Sequence, residues 1–205
     1  MFLYSSHRIQ AWLNDLITGD EKWIYYSDQI RKGQWVNKDE QPVDVPKPEI
    51  HVKKVMLCVG WSVQGIEYWE LLKEGKTITV DVSTTQLQKL REAVKKSRRE
   101  KTKVFFQPDN ARPHVARLKN AELLSYGWIA LPHPLYSPDL AASAFSLFSH
   151  LQRHLDSEIF KTKKDIETEL TQYFAPQKPE FFDDRIQKLP GRWRKIINAN
   201  REYFH

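Results

Sequence analysis

The residues whose types could do chemistry fall into a few short groups. Asp20 stands in Thr18-Gly19-Asp20-Glu21-Lys22-Trp23, and Asp109 opens Asp109-Asn110-Ala111-Arg112-Pro113-His114. A third segment of similar character is Tyr136-Ser137-Pro138-Asp139-Leu140. Taken singly, such aspartates more often end a strand or make a turn than hold a ligand. His150 and His154 are spaced i, i+4 and share one face if the segment is helical, where two imidazoles can in principle hold one metal ion. No glutamate stands where such a site needs it and no third ligand is near in sequence, so a solvated helix face is the expectation. Cys58 is the only cysteine, which excludes an internal disulfide and a cysteine-based zinc site.

Cationic residues come in two runs. Lys95, Lys96, Arg98, Arg99, Lys101 and Lys103 crowd one stretch, and Arg192, Arg194, Lys195 and Arg201 crowd the C-terminal part. The formal charge is +6 and the pI about 9.3, a balance that favours polyanions through phosphate neutralisation and counterion release. Lysines at a helix C-terminus are favoured by its dipole, which explains only part of the first run. With 205 residues, 40% of them hydrophobic and 12% aromatic, the chain can bury a substantial core and does not read as disordered. No apolar run approaches the roughly 20 residues of a membrane span, and the N-terminus shows no signal-peptide pattern, so a soluble intracellular protein is expected.

The elements that must position these groups follow from periodicity. Residues 22–27 and 34–36 read as short strands, with Asp20 leading into the first. Residues 53–62 (KKVMLCVGWS) form a near-continuous apolar run, the mark of a strand covered on both faces. Residues 66–72 read as its hairpin partner through Gln64-Gly65. Ser83-Thr84-Thr85 can cap a helix whose apolar residues are Leu87, Leu90 and Val94. A strand at 103–107 leads to Pro108-Asp109. Val115, Leu118, Ala121 and Leu124 predict a helix stopped by Gly127, and 128–131 another strand. Phe148, Leu151 and Leu155 line a following helix; Ile166, Leu170 and Phe174 line the next, with Thr162 and Asp165 spaced as a capping box. Trp193, Ile196 and Ile197 mark the last. Trp61 and Trp69 are expected in the core. The order is that of a mixed α/β domain with its sheet between helices.

The three aspartate-bearing segments, in this order and at this spacing, resemble the mariner transposases, a branch of the Tc/mariner group. Gly191-Arg192-Trp193 and Tyr203-Phe204 resemble that family's C-terminus, so the resemblance runs from about Thr18 to Phe204. It implies an RNase H-like fold in which three aspartates meet across a mixed sheet and one helix to hold two magnesium or manganese ions. Hard cations take oxygen ligands, and two of them about 3.5–4 Å apart stabilise both the attacking and the leaving oxygen of a phosphodiester. The implied chemistry is hydrolytic nicking at transposon ends, then strand transfer. Asp20 and Asp109 match the first two aspartates. The third follows after 34 intervening residues, five positions beyond the aspartate of Ser-Pro-Asp-Leu; both counts reach Ala144.

A methyl group cannot coordinate a cation. At most one weakly bound Mg²⁺ or Mn²⁺, between Asp20 and Asp109, is expected. Losing one well-placed electrostatic contact costs roughly 10²–10³ in rate, and a lost metal ligand costs at least that. Asp139 is present in the family beside its third aspartate and is not expected to substitute. Mariners usually have histidine before the second aspartate, where this chain has Pro108, which removes a backbone donor at a strand end. The expectation is a nuclear, transposase-derived domain, catalytically inactive and retained for DNA or protein binding. The alternatives are a nicking and strand-transfer transposase crippled at position 144, a weak residual nuclease, or a protein-interaction scaffold. Non-specific DNA contact would use Arg112, His114, Lys95, Lys96, Arg98, Arg99 and Lys101, although Arg112 and His114 read equally well as bracing their loop. Residues 1–17 are expected to be a linker or N-terminal extension without room for a helix-turn-helix, and 18–205 the catalytic domain. The charged, proline-rich loop at 37–50, with Trp35, Pro46 and Pro48, resembles the family's clamp loop, which contacts the partner subunit in mariner dimers.

Overall fold

A computed structural model describes residues 12–27, 53–97, 103–107, 120–131, 140–156 and 158–198. Strands β1 (Leu16–Tyr25), β2 (Lys54–Ser62) and β3 (Gly65–Leu71) form an antiparallel meander. Strands β4 (Phe105–Gln107) and β5 (Ile129–Ala130) run parallel on the other side of β1, giving the order β3-β2-β1-β4-β5. The apolar run foreseen at 53–62 is β2, and its alternation serves two cores at once. Val55, Leu57, Val59 and Trp61 join the larger core on one face of the sheet. On the other face, Leu87, Leu90 and Val94 pack with Ile17, Phe106, Leu123 and Trp128. The hairpin turns at Gly65, whose φ of 135° suits a residue without a β-carbon.

Helix α1 (Val80–Ser97) covers the second core. It begins three residues before the expected Ser83, because Thr79 Oγ1 accepts from the Val82 N–H at 3.3 Å and does the work of a cap. Ser83 is buried instead. Tertiary burial here outweighs the weak helix preference of Val80 and Val82. The helix is tied to β3 through Glu70, which accepts from Lys89 Nζ at 2.6 Å and Gln86 Nε2 at 2.8 Å. In the helical residues 120–125, Leu123 is the buried residue, whereas Leu124, expected on the apolar face, is 75% exposed.

The larger core is closed by a π-helix (Ser143–Phe148) that runs directly into α2 (Ser149–Leu155), and by α3 (Lys163–Phe174), α4 (Pro179–Ile186) and α5 (Leu189–Asn198). Phe148, Leu151 and Leu155 are buried as expected, and so are Ile166, Leu170 and Phe174. The capping box of α3 is present, with Thr162 Oγ1 accepting from the Asp165 N–H and the Asp165 carboxylate accepting from the Thr162 N–H. Helix α4, with Pro179 in its first turn, was not individually foreseen. Helix α5 docks by stacking Trp193 on Trp12, rings 5.8 Å apart and 15° from parallel. Trp61 is wholly buried and Trp69 is packed against the same core. The first strand is longer than expected, so Asp20 lies within β1 and not ahead of it. The strand expected at 34–36 and the loop at 37–50 lie outside the described residues.

Candidate active site

Alternation along β1 sets the direction of its side chains. Leu16 and Ile24 belong to the larger core, and Thr18 meets Ser143 of the π-helix on that same side, its Oγ1 3.4 Å from Ser143 Oγ. Asp20, two residues beyond Thr18, therefore sits on the face that the π-helix covers. Its Oδ1 accepts from the Glu21 N–H at 2.7 Å. Strand β4 lies parallel to β1 with Thr18 opposite Gln107. Asp109 lies outside the described residues, as do Pro108, Arg112, His114 and Asp139.

The turn that carries Ala144 is held from two directions. Ser143 Oγ accepts from Trp61 Nε1 at 2.9 Å, so the π-helix is fastened to β2 as well as to β1. Three residues earlier, the Leu140 carbonyl accepts from Gln107 Nε2 at 2.8 Å and from Trp193 Nε1 at 3.2 Å. Ala144 is the next residue after Ser143, half-buried in the first turn of the π-helix. Such i→i+5 turns are rare and recur at functional sites. The following residue, Phe145, carries the Arg192 guanidinium 4.0 Å above its ring. Asp20 and position 144 are named in the sequence, whereas Ser143, Thr18 and Gln107 are not singled out there, and Trp61 is expected only as a core residue. The signal of Ser143 is a polar residue amid apolar neighbours.

The opposite face of the sheet behind Asp20 is built from absences of side chain. Gly19 and Gly60 are cross-strand partners. A β-carbon on Gly60 would lie 2.8 Å from Leu90 Cδ1, and one on Gly19 3.1 Å from the Phe106 ring. A small cavity of about 60 Å³ remains there, bounded by Gly19, Gly60, Tyr68, Ser83, Gln86 and Leu87. Burial and the neighbouring Glu70 carboxylate push the Tyr68 hydroxyl well above the usual phenol range.

Of the residues matched to the family's three aspartates, Asp20 and Ala144 are described, and of these two only Asp20 carries a carboxylate. Among the described residues no cluster of three His, Cys, Asp or Glu side chains could hold a metal ion. The histidine pair is not simply solvated, which corrects the expectation: His150 Nδ1 lies 2.9 Å from the Tyr173 hydroxyl and its ring meets the Phe181 edge, while His154 Nε2 lies 2.7 Å from Glu169. Burial, helped by Arg185, Arg153 and His154, pulls the His150 pKa below its usual value. Lys95 and Lys96 project from the last turn of α1, exposed as expected. Arg98, Arg99, Lys101, Trp35, Pro46 and Pro48 lie outside the described residues.

A family model described as a transposase partial DDE domain matches residues 25–104. The chain is 36% identical over 205 residues to the mariner Mos1 transposase of Drosophila mauritiana, covering 98% of this chain and 59% of that protein. It is 35% identical over 202 residues to the human histone-lysine N-methyltransferase SETMAR, covering 95% of this chain and 29% of that protein. The Mos1 paired-end complex with Mn superposes with a TM-score of 0.89 at 36% identity, covering 97% of this chain and 60% of the other. The Mos1 catalytic domain with Raltegravir and Mn gives 0.80 at 34% identity, covering 99% of this chain and 91% of the other. The chain belongs to the mariner transposase family, and its mixed five-stranded sheet between helices is the RNase H-like fold of the Mos1 catalytic domain. It spans 59% of the Mos1 transposase and 29% of SETMAR.

Proposed function

We propose that this chain is a mariner transposase-derived catalytic domain that does not cleave DNA and serves by binding DNA or a protein partner. The observation that carries the reading is Ala144, held in the turn beside β1 where the family's third carboxylate is expected. Relatives are known as a transpososome and paired-end complexes, one of them with Mn and another with Mg, which supports DNA as partner and a divalent ion as ancestral cofactor. A stretch similar to this domain also occupies 29% of a protein named for lysine methylation, which supports retention outside a transposase. In this reading Asp20 and Asp109 share at most one weakly held ion. Lys95, Lys96, Arg98, Arg99, Lys101, Arg112 and His114 contact phosphates without base readout, and the site of action is the nucleus. Residues 18–205 are the catalytic domain, and the clamp-like loop at 37–50 meets a second copy or a host protein.

The test is nicking of supercoiled DNA with Mg²⁺ or Mn²⁺. The expected result is no nicking; metal-dependent nicking that Asp109→Ala abolishes would overturn the reading. DNA affinity should fall linearly in log salt, with a slope near −0.9 per phosphate neutralised. The second reading, an enzyme crippled at one position, rests on the same Ala144. It predicts that Ala144→Asp recovers cleavage with Pro108 still in place.

A further inference from the structure

We infer that Ser143 is a positioning residue, whose bonds to Thr18 and Trp61 set where the side chain at position 144 stands relative to Asp20. The inference rests on the reading of position 144 given above and extends it to the groups that aim that position. Thr18, Trp61 and Ser143 are all 0% exposed, a concentration of polar atoms within an otherwise apolar core. A buried indole N–H left without a partner costs about 1–3 kcal/mol, so its donation to Ser143 holds the two firmly together. A serine hydroxyl has one proton and two lone pairs. At Ser143 it accepts from Trp61 at 2.9 Å and still has capacity for Thr18 at 3.4 Å, which ties one helical residue to two neighbouring strands.

That attachment governs direction. Successive residues of an α-helix point about 100° apart, so a slip of one residue would turn the side chain at position 144 by about that angle. The π-helix carries a wider turn and could relax toward α-helix by such a slip. Ser143 opposes it from the strands, and the Leu140 carbonyl, shared by Gln107 and Trp193, opposes it from the preceding turn. None of these bonds uses the side chain at 144. The apparatus that aimed a carboxylate is therefore intact around a methyl group, and a carboxylate returned to position 144 would be aimed again.

The experiment measures Mn²⁺ binding by calorimetry and by water-proton relaxation, which reads bound ion without any cleavage. Four proteins are compared: the parent, Ala144→Asp, and Ala144→Asp combined with Ser143→Ala or with Trp61→Phe. Ala144→Asp should bind Mn²⁺ at least tenfold more tightly than the parent. Ser143→Ala should remove roughly 10- to 100-fold of affinity, the usual effect of losing a group that orients a ligand. Trp61→Phe should remove less, since Thr18 still holds the hydroxyl. Ile186→Val, in the same core but away from these bonds, is the stability control and should lower the melting temperature without changing affinity. If Ala144→Asp binds no more tightly than the parent, or if both second substitutions leave its affinity unchanged in folded protein, the inference is overturned. Nicking by the parent would instead overturn only the proposed function.

Discussion

On the side of β1 that carries Leu16, Thr18 and Ile24, the core closes around two hydroxyls and an indole; on the side that carries Ile17 and Gly19, it closes by bare backbone contact. The polar side fixes orientation, because a hydrogen bond is directional and a buried donor without a partner is costly. The glycine side fixes distance, because Leu90 and Phe106 approach the strands until no β-carbon fits between. Asp20 belongs to the polar side, and the glycine side lies behind its strand. One side determines what faces it, the other how firmly its strand is backed.

The largest expected effect tests the glycine side. Leu90→Ala should cost about 2–5 kcal/mol in urea unfolding. Gly60→Ala should cost about 1–3 kcal/mol by overpacking. The double variant should cost clearly less than their sum, since truncating Leu90 vacates the space the new methyl needs. Strict additivity would mean that Leu90 does not set the spacing. On the polar side, Ser143→Ala should cost about 1–3 kcal/mol by stranding the Trp61 N–H, and in a double-mutant cycle Trp61→Phe should add little to it. A large further loss from Trp61→Phe would show that ring volume, not the hydrogen bond, dominates there.

A smaller effect separates the strand from the helices behind it. Burial, with Arg185, Arg153 and His154, lowers the His150 pKa, with Tyr173 at its Nδ1 and Glu169 engaged by His154. Its folded pKa lies below the unfolded one, so its contribution is complete above the ordinary histidine pKa of about 6.5 and is lost as pH falls through the folded value. The melting temperature should drop between pH 7 and pH 5, and His150→Gln should flatten that drop; an unchanged profile would remove His150 as the cause. The smallest effect, about 1 kcal/mol for Thr162→Ala, comes from a cap that touches neither side of β1. It serves as the reference against which the others are judged.

Much of this arrangement can be read from residue order, for identifiable reasons. The run at 53–62 and the Gln64-Gly65 turn announce a buried hairpin because burial on both faces leaves no room for polar residues. Thr162 and Asp165 announce a helix start because their reciprocal bonds are local. Asp20 and Ala144 enter as candidates only by matching spaced motifs to a family. Legibility fails where distant contacts decide. Leu16 to Asp20 join the strand because β2 and β4 flank them, and α1 extends back to Val80 because its face is buried. Leu123 displaces Leu124 at the core because the helix approaches at an angle that spacing alone does not specify. Ser143 is marked locally only as a polar residue among apolar ones, because its partners are 125 and 82 residues away.

Those separations bear on how the domain has endured. Thr18 joins Gln107 across a parallel pairing, and Ser143 reaches Thr18 over 125 residues. Closing loops of such length loses chain entropy before any contact compensates, so these pieces meet late in folding. They meet whether or not a phosphodiester is ever broken. A copy of this domain without catalysis must still bring the same segments together to become folded, and the contour around β1 is passed on with the ability to fold.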